Sequence, residues 1–242
     1  MDKIRLFFLP FAGGSAAFYL PWKKHLDPRI EMYPLELPGR GKRFSAPFHD
    51  SLMETVADLY HSIRLVLDEP GFALFGHSMG SWLAYELAYL IIENGHSCPV
   101  HLFLSGRYPP QIVKKPSMDH CQSDRAIVAG LVKMGGTPRE LLESREWLEM
   151  IIPVLRADYK LLDTYSYSPK AYKLNCGITA LTGKQDYITT PSEVAKWREH
   201  TTRSCRVCEY DGGHFFLNNK TVEIARMINS TLLTYSDAVH LI

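Results

Sequence analysis

The chain has 242 residues, 46% of them hydrophobic and 22% charged, with 27 Lys plus Arg against 26 Asp plus Glu and a formal net charge of +1. This ordinary globular balance excludes disorder as the main state, and the near-zero charge advertises neither nucleic acid nor another polyanion as partner. No apolar run approaches the roughly 18 residues of a membrane span, and five cysteines, odd in number and irregular in spacing, make no disulfide framework.

Lys3 and Arg5 followed by Leu6 to Leu9 imitate a signal peptide, but Pro10 and Gly13-Gly14 cut the apolar run below the length such a peptide needs. Ile4–Leu9 reads instead as a buried strand, and the chain is expected in the cytoplasm. Ala17–His25 reads as helical and Glu31–Leu37 as extended, ahead of a polar loop over Pro38–Phe48. Ser51-Leu-Met-Glu54 spells a capping box, and Leu52, Val56, Leu59, Ile63 and Val66 follow at helical spacing. Phe72–Phe75 is a strand. Met79–Asn94 is a helix stopped by Gly95. Val100–Leu104 is the next strand.

From about 107 to 169 there are helical segments, Leu141–Leu148 and Ile151–Tyr165 the best of them, and no convincing strand. Ile178–Thr182 is a strand, Thr190-Pro-Ser-Glu193 a second capping box, Arg206–Tyr210 the last strand and Val222–Leu233 the last helix. Strand–helix alternation predicts an α/β fold, a mostly parallel sheet with helices on both faces, as one domain over 1–242. The insertion at 107–169 would sit above the carboxyl edge of the sheet, where α/β ligands bind, as a helical lid hinged at Gly135-Gly136.

The chemistry centres on Gly76-His77-Ser78-Met79-Gly80, which follows a strand and opens a helix. A nucleophilic serine must stand on a sharp strand-to-helix turn, and glycines two before and two after let the backbone bend without a Cβ clash. Serine needs a base to take its proton. In this architecture the order is Ser, acid, His, and His214, in Asp211-Gly-Gly-His214 between the last strand and last helix, fits. Of the other nine histidines, His77 lies inside the turn, His240 in the tail, and the rest upstream or in helices.

Asp186, just past a strand in Thr182-Gly-Lys-Gln-Asp186, is the candidate acid. Asp211 is its rival but sits only three residues from His214. The tetrahedral intermediate needs two N–H donors, assigned to Met79 and, in Leu9-Pro-Phe-Ala-Gly-Gly14, to Phe11 with Ala12 as neighbour. That loop is no nucleotide-binding loop, since no Gly-Lys-Ser/Thr follows. Cys205 and Cys208 form a lone CxxC that reads as strand, so neither metal nor cofactor is expected.

The words Leu9-Pro-Phe-Ala-Gly-Gly-Ser15, Leu37-Pro-Gly-Arg-Gly-Lys-Arg-Phe44, Leu74-Phe-Gly-His-Ser-Met-Gly80, Leu155-Arg-Ala-Asp-Tyr159, Thr182-Gly-Lys-Gln-Asp186 and Asp211-Gly-Gly-His-Phe-Phe-Leu217 run in order over nearly the whole chain. By them the sequence resembles the type II thioesterases associated with nonribosomal peptide and polyketide synthases. The resemblance implies an α/β-hydrolase with a helical lid. It also implies hydrolysis of acyl or aminoacyl thioesters on the phosphopantetheine arms of carrier proteins, removing misprimed or stalled groups. Ser78, Asp186 and His214 match the triad positions of the family. Ser81 and Trp82 depart from it, a smaller residue being common at 81.

Carrier proteins are generally acidic, so Arg40, Lys42, Arg43, Arg107, Lys114 and Lys115 are candidates for docking. Asp158 and Tyr159 are candidates to position the lid or line the way in. The alternative is a stand-alone acyl-CoA thioesterase or carboxylesterase on the same fold. A non-catalytic binding module would not need all three triad residues. No nucleic acid or membrane partner is expected, and a monomer is the default.

Overall fold

A computed structural model describes residues 3–67, 71–114 and 119–239, with side chains as far as 235; Lys115 and His240 lie outside the described residues. In chain order come β1 (Ile4–Leu9), a 3-10 helix (Ala16–His25), β2 (Ile30–Pro34), α1 (Leu52–Ile63), β3 (Phe72–His77), α2 (Met79–Glu93) and β4 (His101–Ser105). Then follow α3 (Asp124–Met134), α4 (Arg139–Leu142), α5 (Arg145–Thr164), β5 (Gly177–Gly183), α6 (Pro191–Val194), β6 (Cys205–Tyr210) and α7 (Thr221–Val239). The strands form one sheet in the order β2-β1-β3-β4-β5-β6, and every neighbouring pair is parallel.

Burial on both faces explains the continuous apolar strands. Phe7, Leu9, Leu74, Leu102 and Leu104 pack with Val56, Leu59, Leu83 and Leu87 of α1 and α2. Their neighbours Leu6, Phe8, Phe75 and Phe103 pack on the other side with Tyr19, Trp22, Ile224 and Ile228. The chain leaves β1 towards β2 on one side and returns to β3 on the other. This reversal opens a crevice at the carboxyl ends of β1 and β3, which is where Leu9-Pro-Phe-Ala-Gly-Gly14 and Ser78 sit.

Most element readings agree with the structure, and the differences have local causes. The helical reading of Ala17–His25 is met by a 3-10 helix with Pro21 inside it. The strand expected to Leu37 ends at Pro34. The Ser51 side chain caps α1 by accepting from Glu54 N–H, but the Glu54 carboxylate reaches back to Asp50 N–H, so the first box is only half closed. The Thr190 box is complete.

Between β4 and β5 lie α3 to α5 and no strand among the described residues. Two boundaries there differ from the sequence reading. Helix α3, capped by Ser123, lies ahead of both segments named from the sequence. The break expected near 149–150 falls instead at 143–144, where Ser144 caps α5 by accepting from Trp147 N–H. Helix α5 then continues through Pro153, although a proline inside a helix lacks the backbone donor and crowds the carbonyl four residues earlier. Cys205 and Cys208, three apart in β6, point to opposite faces and pack against different apolar clusters, so they cannot share a metal ion.

Candidate active site

Ser78 is the one non-glycine residue with positive φ among the described residues, at φ 53°. The conformation is strained for a residue with a Cβ, and it lifts the side chain clear of the sheet between β3 and α2. The backbone crowds around it. A Cβ on Gly76 would lie 2.0 Å from the Gly80 carbonyl oxygen, and one on Gly80 would lie 2.3 Å from that of Leu9. Gly76→Ala and Gly80→Ala are therefore each expected to cost about 3 kcal/mol or more, read as a lowered urea midpoint. Ser81 braces the turn. Its buried hydroxyl lies 2.9 Å from both the Gly76 and Ser105 carbonyl oxygens and accepts from Ser105 N–H, while Ser78 N–H donates to the Ser105 carbonyl at 2.7 Å.

Asp186 follows β5 and His214 follows β6, neighbouring strands whose carboxyl ends bring them together. His214 Nε2 is 2.9 Å from Ser78 Oγ, and His214 Nδ1 is 2.8 Å from Asp186 Oδ2. The second Asp186 oxygen accepts from Ile188 N–H at 2.8 Å, which fixes the carboxylate plane. All three side chains are buried. The rival Asp211 points away, to an exposed ion pair with Lys184.

His77 lies beneath this relay, its ring centroid 5.1 Å from that of His214 and its Nδ1 2.9 Å from Ser105 Oγ. Burial first, and then the neighbouring His214, hold its pKa well below the usual imidazole range. Burial likewise lowers His101 and His200 to about 4. Such histidines are neutral in the fold but take up protons in the unfolded chain below about pH 6.5. Their stabilisation is complete above that pH and lost as pH falls towards 4. Urea midpoints taken at pH 7.5, 6 and 5 are expected to drop steadily.

The loop after β1 is fixed from a distance. Phe11 O accepts from Gly14 N–H at 2.8 Å. Gly13 N–H, in the left-handed region at φ 77°, donates to Asp158 Oδ2 at 2.7 Å. Arg40 holds both oxygens of Asp158 at 2.6 Å and also donates to Gly14 O. Two of the sequence words, Pro-Gly-Arg-Gly and Arg-Ala-Asp-Tyr, thus meet as a buried bidentate pair clamping the third. No acceptor among the described residues takes Phe11 N–H, and Met79 begins α2, where N–H groups lack intrahelical partners.

The relay opens into a cavity of about 920 Å³. Phe11, Ala12, Ser78 and His214 line one side, and Leu131, Leu155 and Tyr159 of α3 and α5 line the other. Asp158 is not on this wall; its partners make it a clamp. The basic docking candidates are mostly engaged inside the protein. Arg40 binds Asp158, Arg43 binds Asp58 and Lys114 binds Glu193, while Arg107 turns into the cavity. Of the described candidates Lys42 and Lys114 are exposed, Lys114 within its pair to Glu193. No local pattern announces the Arg40–Asp158 pairing, because its partners are 118 residues apart.

A family model described as the thioesterase domain matches residues 4–232. Linear gramicidin dehydrogenase LgrE of Brevibacillus parabrevis is 36% identical over 236 residues, which cover 96% of this chain and 89% of that protein. ClbQ from the colibactin NRPS/PKS pathway superposes with a TM-score of 0.93 at 33% identity, covering 98% of this chain and 99% of ClbQ. The type II thioesterase BorB from the borrelidin biosynthetic cluster superposes with a TM-score of 0.87 at 36% identity, covering 95% and 93%. With its parallel sheet and its match over almost the full length, the chain belongs to the thioesterase-domain family, among the type II thioesterases of nonribosomal peptide and polyketide pathways on the α/β-hydrolase fold.

Proposed function

We propose that this protein frees blocked carrier proteins by hydrolysing acyl or aminoacyl thioesters on their phosphopantetheine arms. The observation that carries this is the Ser78–His214–Asp186 relay, with spacings of 2.9 and 2.8 Å, opening into the large cavity. Ser78 Oγ attacks the thioester carbonyl as His214 Nε2 takes its proton and Asp186 balances the imidazolium. Phe11 and Met79 N–H groups hold the oxyanion. The C–S bond breaks and the thiolate leaves with the proton from His214. Water, activated by the same imidazole, then cleaves the acyl-serine and releases the acid. In this reading the 242 residues act as one domain, and α3 to α5 form its lid.

Several features support the lid. Ile127, Leu131, Leu155 and Tyr159 make an apolar cluster of their own. Gly135 and Gly136, both at positive φ, end α3 beside Phe215, which follows His214. Amide exchange over α3 and α4 is expected to be faster than in β3 and β4; equal protection would remove the lid.

The deciding assay is intact-protein mass spectrometry of carrier proteins loaded with acetyl, propionyl or aminoacyl groups, beside acyl-coenzyme A and oxygen esters. Fast loss of the acyl mass from carriers, slower on coenzyme A, supports the proposal. Turnover of coenzyme A thioesters or esters with carriers untouched moves the reading to a stand-alone hydrolase. A parallel arm with reduced nicotinamide tests the dehydrogenase activity in the name of the gramicidin relative.

A further inference from the structure

Arg107 is a buried cation with no ion-pair partner among the described residues. It stands two residues past β4, is 9% exposed and lines the same cavity as Ser78 and His214. Its guanidinium carbon lies 3.9 Å from the centroid of the Trp82 ring and 4.9 Å from that of Tyr108. Trp82 is four residues, one helical turn, beyond Ser78. Among the described residues no side chain forms an ion pair with Arg107, and its buried Nε has no hydrogen-bond partner.

The nearby charges are committed elsewhere or remain apart. Asp186 serves His214, and Lys114 is taken by Glu193 and Ile188 O. Asp163 binds His120 through Oδ2, its Oδ1 buried without a partner.

A guanidinium buried with no carboxylate in ion-pair distance is costly, and the two rings and the more distant Asp186 and Asp163 recover only part of that cost. A guanidinium lying over a ring keeps its N–H edge free, and that planar fork matches a carboxylate bidentately. The phosphate of the arm is a less suitable anion, because it stays at the carrier surface in water while Arg107 lies inside the cavity.

We propose that Arg107 selects acyl groups bearing a carboxylate, the half-thioesters of dicarboxylic acids such as malonyl and succinyl, by pairing with that carboxylate at the wall of the cavity. The proposal rests on the thioesterase reading above.

The test compares isosteric pairs in which a carboxylate oxygen is replaced by methyl: malonyl against acetoacetyl, and succinyl against levulinyl. Each is presented on a carrier protein and on pantetheine lacking the phosphate. The wild type is expected to show kcat/KM at least about tenfold higher for the carboxylated member. Arg107→Gln should erase the preference, bringing kcat/KM for the carboxylated member down to that of the neutral one. Arg107→Lys should restore only part, because a point charge lacks the fork.

Calorimetry on Ser78→Ala protein with N-succinyl and N-levulinyl amide analogues of the loaded arm reads the same preference without turnover, whether or not Arg107→Gln folds. No preference in wild type, or equal losses on both members, overturns the proposal. A loss confined to phosphate-bearing substrates assigns Arg107 to the arm instead and also overturns it. Turnover of neutral thioesters without preference sinks this inference alone. Absence of all turnover sinks the thioesterase reading, and the calorimetry still decides Arg107.

Discussion

Ser78→Ala is expected to lower kcat for release of an acyl group from a carrier protein by about 10⁴-fold or more, with KM little changed. His214→Ala should fall as far, and the double variant hardly further, because nucleophile and base act as one unit. Asp186→Asn keeps the shape but leaves His214 without its counter-charge and in the wrong tautomer, and should also lose about 10⁴-fold near neutral pH. These losses are expected to be large because the proposed chemistry runs through one oxygen, 2.9 Å from one nitrogen. The check is single-turnover release followed by mass spectrometry, together with labelling by a fluorophosphonate that adds to Ser78 in wild type only. Activity of Ser78→Ala within tenfold of wild type would remove it as nucleophile.

Asp158→Ala is expected to cost about 3–5 kcal/mol of stability, since it leaves the Arg40 guanidinium buried and uncompensated. For a chain of this size that is a fall in Tm of roughly 6–20 °C. Activity should drop further than the loss of folded protein explains, because the same carboxylate holds Gly13 N–H at 2.7 Å, two residues from Phe11. The double variant Arg40→Met/Asp158→Leu separates the two effects. An apolar pair of similar volume should recover much of the stability without recovering kcat. Full activity in that variant would mean that the loop holds its shape unaided. The relevant measurements are thermal melts and steady-state kinetics of the two single variants and the double.

Much of the fold was legible because its determinants are local. Phe72–His77 is buried on every residue, so it reads as one apolar run. Gly76 and Gly80 are demanded by contacts with Gly80 and Leu9 backbone, and this crowding accompanies any serine on such a turn. His214 and Asp186 could be chosen by order along the chain, since each follows a strand whose end the parallel topology brings to the same edge. The helices between β4 and β5 were legible only in outline. Ser123 and Ser144 cap α3 and α5, but a serine before an apolar stretch is too common a signal to fix a boundary, and Pro153 inside α5 disguised its continuity.

The sequence by itself therefore determined the serine turn between β3 and α2, the succession of strands and the parallel sheet, because glycine contacts, caps and runs of buried residues act within a few positions. The tertiary structure alone decided what the charges do. Arg40 and Asp158 are 118 residues apart, and no pattern near either announces the other. Arg107 looks like a surface residue until Trp82 and Tyr108 are seen to enclose it. A charged side chain takes its role from the group opposite it, and only the folded chain supplies that group.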